Sequence, residues 1–404
     1  MATHILNGYR VIDLTHVLAG PSATRLMVEM GAEVIKVEFP PIGDIARVLP
    51  TLKNGRSAYY VQQNRGKLSL SVDIKSSSGK EILTRLIQSA DVVIENFAPG
   101  VIGRLGFSWE RVKEINPRIV MCSMSAFGQD GELSALPGFD YIAQAYSGIM
   151  GMIGEKDGPP TFPMAGIGDV MTGVHAFGAI GYALLHREKS GEGQFIDISL
   201  VDCYTHCHEL NIEVYSLSQP KVVPTRSGHH HFAVCPLGLF KGKERYICII
   251  ALQMQWPSLC KVIEREDLIE DERYCDNDRR VKSSGEVIAI IQEWIDRQKD
   301  DESIIKALER ERVPCAPVLD IAEVVSHPHL LQRGTIRTIE DPKLGKVTMP
   351  GMPLRFSSFK HNQELEAAFL GEHNHFVLND LLDYSVEEII QLEADKVIFS
   401  NTGT

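Results

Sequence analysis

One carboxylate in this chain stands where carboxylates are seldom found. Asp169 lies in the run Ala165-Gly166-Ile167-Gly168-Asp169-Val170-Met171-Thr172-Gly173, a glycine turn that opens a helix of small residues. The segment that follows, Val174 to Leu185, is nearly all apolar, which predicts a buried helix. Carboxylates are rarely buried unless they are paired or take part in chemistry. The flanking glycines leave the backbone bare, so a bulky ligand can approach it closely. Unpaired N–H groups at a helix start would keep the acid ionised. Two readings follow: a nucleophile in a ligand cleft, or an N-cap aspartate that ties down the first turn.

Other reactive residues are more dispersed. The eight cysteines are spread over a long chain without dense spacing, which predicts reduced thiols rather than disulfides. Within Cys203-Tyr204-Thr205-His206-Cys207-His208, the two cysteines would share one helical face. No second pair with metal-ligand spacing accompanies them, so buried helical thiols are expected and a metal is not. The triplet His229-His230-His231 follows Pro224 and Gly228 and reads as a polar loop.

The elements that must position Asp169 alternate between strand and helix. Arg10–Leu14 is a β-like run, a helix is expected over Ala23–Met30 after Gly20-Pro21, and Glu33–Glu38 is the next strand. The pattern recurs with a helix over Ser77–Ser89, a strand over Asp91–Glu95, a helix over Trp109–Ile115 and a strand over Arg118–Ser125. After the helix at 170–187 comes a strand, Gln194–Leu200, and a helix-like stretch from Asp202 to Tyr215. Such alternation predicts an α/β protein with a mostly parallel, doubly wound sheet. Ligands bind beyond the C-terminal strand ends of such sheets. Three segments fall there: His16–Pro21, Asn96–Gly100 and Ser125–Gly128. None is a dinucleotide fingerprint or a Walker loop.

Pro220, Pro224 and Gly228 mark a boundary. The expected division is a large Rossmann-like domain over 1–200, a linker over 201–228, a small α/β domain over 229–325, and a return segment over 326–404 that packs on the large domain. In the small domain, Tyr246–Ala251 reads as a strand and Trp256–Ile263 and Gly285–Gln298 as helices, with Val318-Leu319 closing it. The tail ends in a helix with Ser385 as N-cap and Glu388 three residues on.

A net charge of −12 argues against a general nucleic-acid binder, but a few local cations and N–H groups suffice for an anionic small ligand. Hydrophobic content of 44% and charged content of 23% are ordinary for a globular chain. No uninterrupted apolar run of about 18 residues points to a membrane span. Met1–Leu6 carries no basic region followed by an apolar one, so a cytoplasmic location without a secretory leader is expected.

Taken together, several motifs are specific. They are Gly31-Ala32-Glu33-Val34-Ile35-Lys36-Val37-Glu38, Val93-Ile94-Glu95-Asn96-Phe97-Ala98-Pro99-Gly100, Leu105-Gly106-Phe107, Gly168-Asp169, Leu185-His186-Arg187, and Gly191-Glu192-Gly193-Gln194 before a strand. Over essentially its whole length the chain resembles the family III CoA-transferases, which include formyl-CoA and carnitine CoA-transferases, and the related 2-methylacyl-CoA racemases. The resemblance implies two ring-like chains, identical or related, that interlock, each with a large Rossmann-like domain and a small domain joined by two long linkers. It also implies that Asp169 is the nucleophile, forming an acyl anhydride and then an aspartyl-CoA thioester. A CoA thioester and a free organic acid are then the substrates, with no tightly bound cofactor.

Further residues carry over from the resemblance. His16 matches a substrate-site residue, and Asp140 an acid near the nucleophile. Asn96, Phe97 and Ala98 match a CoA-contacting turn. Arg104 matches a phosphate contact, and Val72 to Lys75 a stretch beside the adenine. The departures matter as well. Phe139 stands where the racemases carry a histidine, so one of the two proton-moving groups is missing and transfer is favoured over racemisation. Leu18 replaces the glutamine of formyl-CoA transferases, and Ser227–Pro236 replaces their glycine-run loop with histidines and Phe232. A larger, partly apolar acceptor acid is expected, with succinyl-CoA a candidate donor. Alternatives are a racemase, or one subunit of a hetero-oligomer.

Overall fold

A computed structural model of the chain describes residues 4–218 and 221–401. Its central sheet is built from six short strands: β1 (Arg10–Asp13), β2 (Glu33–Glu38), β3 (Leu68–Ser71), β4 (Val92–Glu95), β5 (Val120–Ser125) and β6 (Gln194–Ser199). All neighbours pair in parallel, in the order β3-β2-β1-β4-β5-β6. This is a doubly wound order, and the direction of winding reverses between β1 and β4.

Parallel strands need both faces covered, and their residues alternate between two cores. Ile12, Ile35, Leu70 and Val93 face one core with Ile82, Leu86, Ile389 and Leu392. Val11, Val34, Val92 and Ile94 face the other with Ala23, Met27, Ala176 and Ile180. The strand β3 is an element that sequence reading left unassigned. Its Leu-Ser-Leu-Ser alternation is too short to stand out, and the sheet edge supplies the context.

Helix α1 (Ala19–Glu29) starts earlier than the expected Ala23, because Pro21 fits a first turn that needs no N–H there. The other helices of this unit include α2 (Ala58–Asn64), α3 (Ser77–Gln88), α4 (Val101–Arg104), α5 (Trp109–Ile115), α6 (Asp140–Tyr146), α7 (Ile167–Ser190) and α8 (Leu200–Thr205). Helix α7 lies directly against α1. A Cβ at Gly173 would overlap the Ser22 hydroxyl and stand 2.5 Å from the Ala19 carbonyl oxygen, so only glycine permits the approach.

The expectation that Val174 to Leu185 is a buried helix is half corrected. The segment is helical, but only Ala176, Ile180, Ala183 and Leu184 of this stretch are buried. Val174 is 48% exposed, Tyr182 77% and Leu185 52%.

The chain divides into two compact units. One holds the described residues up to Ser147, Pro163–Cys207 and those from His327 onward; the other holds Gly148–Phe162 and His208–Ser326. The continuous helix expected over 202–215 is broken into Leu200–Thr205 and Asn211–Leu217, because the chain passes from one unit to the other at Cys207-His208. The second unit has a three-stranded antiparallel sheet, Leu237–Lys241, Tyr246–Ile250 and Cys315–Pro317, with Tyr246–Ile250 in the middle. Its core gathers Trp256, Trp294, Ile247, Ile291 and Leu308. In the first unit the terminal helix Val386–Ala394 carries the capping box read from Ser385 and Glu388.

Candidate active site

Where β1 and β4 end, their chains diverge and a crevice opens. Two of the sequence-selected residues meet there. The His16 backbone N–H donates to Asn96 Oδ1 at 2.8 Å, and Asn96 Nδ2 donates back to the His16 carbonyl at 2.9 Å. Phe97 and Phe39 flank the His16 ring, with centroids 5.5 and 6.4 Å away. Burial, then Lys36, hold the His16 imidazole below its ordinary pKa, which favours the neutral ring.

The next residue, Val17, has φ +66°, a conformation that a β-branched side chain adopts only when its surroundings enforce it. The enforcing group is Asp44, whose Oδ1 accepts the Val17 N–H at 3.0 Å and the Ala46 N–H at 2.9 Å. Buried Lys36 lies 3.0 Å from Asp44 Oδ2 and donates to the Thr15 carbonyl at 2.7 Å. Asp13, itself bonded to Thr15, Thr24 and Lys67, anchors the same corner. This strained turn carries Leu18 onto the start of α7, where a Cβ at Gly166 would overlap the Leu18 side chain.

Asp169 sits in the first turn of α7, half-buried. It is not the N-cap. Gly166 takes that position without a side-chain hydrogen bond, so the capping reading is corrected. The Asp169 N–H instead donates to Asp140 Oδ2 at 3.2 Å. The Tyr204 hydroxyl donates to Asp140 Oδ1 and accepts the Gly168 N–H at 3.0 Å. A Cβ at Gly168 would overlap the Tyr204 ring, so this glycine is what lets the tyrosine reach in. Phe139, 77% exposed, precedes buried Asp140 as the N-cap of α6.

The charge state of Asp169 differs from expectation. The helix start was expected to keep it ionised at ordinary pH. Burial, with the Asp140 carboxylate second, pushes its pKa up to about 7. Burial and Asp169 also hold the Tyr59 phenol of α2 above its ordinary range.

The remaining selected residues are more dispersed, and of them only Lys75 lines the adjoining cavity. Val72 is fully buried and pairs with Ile398 in a bridge. Lys75 is exposed, with its Nζ 5.9 Å from the Phe39 ring. Ala98 is exposed at the turn into α4, and Arg104, also exposed, lies on α4 with no carboxylate within ion-pair distance among the described residues. A cavity of about 810 Å³ is lined by Phe39, Pro40, Lys75, Phe97, Leu105 and Phe399, among others. The arrangement thus runs from an aromatic, partly cationic cavity, past His16 and Leu18, to a carboxylate that can ionise near neutrality. Sequence reasoning missed Tyr204, Tyr59 and Asp44. The positive φ of Val17 was also beyond it, because no local motif announces a strained valine.

The cysteine and histidine candidates lie outside this arrangement. All eight cysteines are free. Cys203 is buried, and Cys207 Sγ lies 3.1 Å from Met171 Sδ. His229 pairs with Glu155 at 3.2 Å. Among the described residues, no group of three or more His, Cys, Asp or Glu could hold a metal ion. No helix among them is long and apolar enough to cross a membrane.

A strand-end crevice on a doubly wound sheet, with a half-buried carboxylate beside it, is where a protein of this class holds a small-molecule ligand. Residues 6–374 match the model of CoA-transferase family III, and the chain belongs to that family. It is 34% identical over 395 residues to human succinyl-CoA:glutarate CoA-transferase, covering 97% of this chain and 90% of the relative. It is 35% identical over 415 residues to formyl-CoA:oxalate CoA-transferase of Streptomyces coelicolor, covering 98% of this chain and all of the relative, 100%. Among solved structures, a CAIB/BAIF family protein from Brucella suis superposes with a TM-score of 0.80 at 31% identity, over 94% of this chain and 100% of that one. Rv3272 from Mycobacterium tuberculosis gives a TM-score of 0.81 at 28% identity, over 92% and 98%. The protein is therefore a CoA-transferase, with an acyl-CoA and a carboxylate as its substrate classes.

Proposed function

We propose that this CoA-transferase moves CoA from succinyl-CoA to an organic acid larger and more apolar than oxalate, through covalent intermediates on Asp169. The observation that carries the reading is the Asp169 carboxylate itself. It is half-buried, no cation offsets its burial, and it lies in the first turn of a helix, whose dipole favours negative charge developing beside it.

The steps balance without water or a net proton. An Asp169 oxygen attacks the thioester carbonyl, the C–S bond breaks, and CoA thiolate departs to leave an acyl-aspartyl anhydride. The thiolate attacks Asp169 Cγ, the C–O bond breaks, and the donor acid leaves. The acceptor carboxylate then attacks the aspartyl-CoA thioester and expels the thiolate again. Attack of that thiolate on the new acyl carbon yields the product thioester and restores Asp169. Each thioester exchange is near balance, so no nucleotide triphosphate is needed. A carboxylate with a pKa near 7 is a better nucleophile than an ordinary one and still a good leaving group.

Leu18 selects the acceptor. Its side chain lies against Gly166, beside the reacting carboxylate, and offers methyl groups where a small dianion such as oxalate needs hydrogen bonds. A glutarate-sized chain can rest on it, in keeping with the succinyl-CoA:glutarate relative. Racemisation is disfavoured because Phe139 cannot carry a proton. The exposed apolar side of α7 supports assembly with a second chain, identical or related.

The test is incubation in deuterium oxide with succinyl-CoA, a 2-methylacyl-CoA and a panel of acids that includes glutarate, oxalate and an aromatic acid. The expected products are new CoA esters without deuterium, glutaryl-CoA ahead of oxalyl-CoA, and an adduct on Asp169. Deuterium in the acyl chain without CoA exchange would overturn the reading in favour of a racemase.

A further inference from the structure

The cavity near Lys75 has a wall that no family motif of the sequence supplies. Beside Phe39, Asp73, Phe97 and Leu105, it is lined by Glu393, Lys396, Ile398 and Phe399 from the C-terminal end of the chain. That end is fixed in place. The Asp73 N–H donates to the Val397 carbonyl at 2.7 Å, Val72 and Ile398 form a bridge, and the Phe399 N–H donates to the Ser71 carbonyl at 3.3 Å. Val397 and Ile398 are buried in the sheet's core, so the segment is part of the fold.

Lys396 holds a particular place in it. It follows the helix Val386–Ala394 with φ +58°, a left-handed turn more often given to glycine or asparagine. Its side chain is exposed, and no carboxylate lies within ion-pair distance among the described residues. Glu393, the wall's own acid, pairs with His375 at 3.5 Å. Lys75 faces the same cavity with its ammonium near the Phe39 ring. The cavity therefore combines aromatic and aliphatic surface for a flat base with two lysines and two carboxylates, Asp73 and Glu393, on separate segments.

We propose that the C-terminal segment 393–399 closes the nucleotide end of the CoA site and that Lys396 supplies a cation to a CoA phosphate. The inference rests on the CoA-transferase reading and assigns a CoA contact to the C-terminal tail. The backbone of the segment is already ordered, so binding restricts only the Lys396 side chain, and the attraction of its ammonium for a phosphate is offset only by that loss. Ordinary CoA carries phosphate at two places, the 3′-position and the diphosphate, and removal of the first separates them.

The experiment measures KM for succinyl-CoA and for its 3′-dephospho analogue with the full-length protein, as wild type, Lys396→Ala and Lys396→Arg. Wild-type turnover with succinyl-CoA tests the activity on its own, before any variant is compared. Lys396→Ala is expected to raise KM for succinyl-CoA about tenfold, more than it lowers kcat, and Lys396→Arg to restore most of the loss. A rise confined to succinyl-CoA supports the proposal and assigns the 3′-phosphate. An equal rise for both thioesters supports it and assigns the diphosphate. Unchanged KM values for both thioesters in an active Lys396→Ala protein would overturn it.

Discussion

At the scale of residues, the role proposed for Asp169 rests on the company it lacks. Some buried carboxylates of the chain are held ionised by cations: at Asp13, burial is outweighed by Lys36 and Lys67, whereas Glu95, without a cation, is pushed up to about 7 by burial. Asp169 has no such partner and stands near a second carboxylate, so its pKa lies near 7. Two consequences have definite signs. A nucleophile at Asp169, as proposed, acts only when ionised, so kcat/KM should climb as pH rises through about 7 and level off above it. The folded-state value lies above the unfolded one of 3.8, so the protonated side chain favours folding. That contribution is full below the unfolded pKa and is lost as pH rises through about 7. Asp169→Asn should abolish transfer while raising stability at about pH 8 by on the order of 1–2 kcal/mol after allowance for solvent screening, with the gap closing towards about pH 4. Steady-state assays and thermal melts at the two pH values check both halves. Appreciable transfer by the variant would remove Asp169 from the mechanism.

At the scale of elements, the site depends on a corner that contributes no reacting atom. Asp44 holds Val17 in its left-handed conformation, caps the short turn at Ala46 and faces buried Lys36. Burial alone would raise the Asp44 pKa, but Lys36 and the two backbone N–H groups lower it, so the carboxylate stays ionised. Asp44→Ala leaves the Lys36 ammonium short of a partner and lets the 16–18 turn relax. It should cost about 3 kcal/mol, a fall in Tm of about 3–4 °C, and should lower kcat/KM as Leu18 loses its seat against Gly166. Calorimetry and kinetics of the one variant test both, and an unchanged Tm would show that the corner is not under strain.

Much at this scale was legible before the structure. The strand Glu33–Glu38, the helix Trp109–Ile115 and the capping box at Ser385 coincide with their periodic or capping signals. The position of Asp169 within its turn was not, because the glycine before it reads equally as turn or helix until packing decides. Asp44 and Tyr204 were out of reach for a different reason. Their roles exist only across sequence separations of 27 and 64 residues to Val17 and Asp140, and no local pattern encodes such a meeting.

At the scale of the whole molecule, the largest unexplained feature is the outer side of α7. Val174, Gly178, Gly181, Tyr182 and Leu185 follow helical spacing along one stripe. A Cβ at Gly178 or Gly181 would meet open space, so nothing within this chain requires glycine at either place. Beside them a cavity of about 350 Å³ is lined by Ile5, Leu6, Tyr9, Met27 and Phe177, among others. The chain carries a net charge of −12, yet these five positions hold no acidic side chain, and the first acid on the same side is Glu188 at the end of the stripe. A solvated helix of such a protein would place charge there, whereas an interface needs apolar anchors and small residues that admit a neighbouring backbone. Burying Val174, Tyr182 and Leu185 would contribute about 1.5–3 kcal/mol each. A symmetric interface counts each of them twice. The protein alone should therefore sediment at twice its chain mass of 44.9 kDa. The double variant Tyr182→Glu, Leu185→Glu brings like charges together in the contact and should sediment as monomer or aggregate. A wild-type chain that sediments as a monomer at micromolar concentration, and as a dimer only with a related subunit added, would assign the stripe to a hetero-oligomer. A monomer under both conditions would reject the interface.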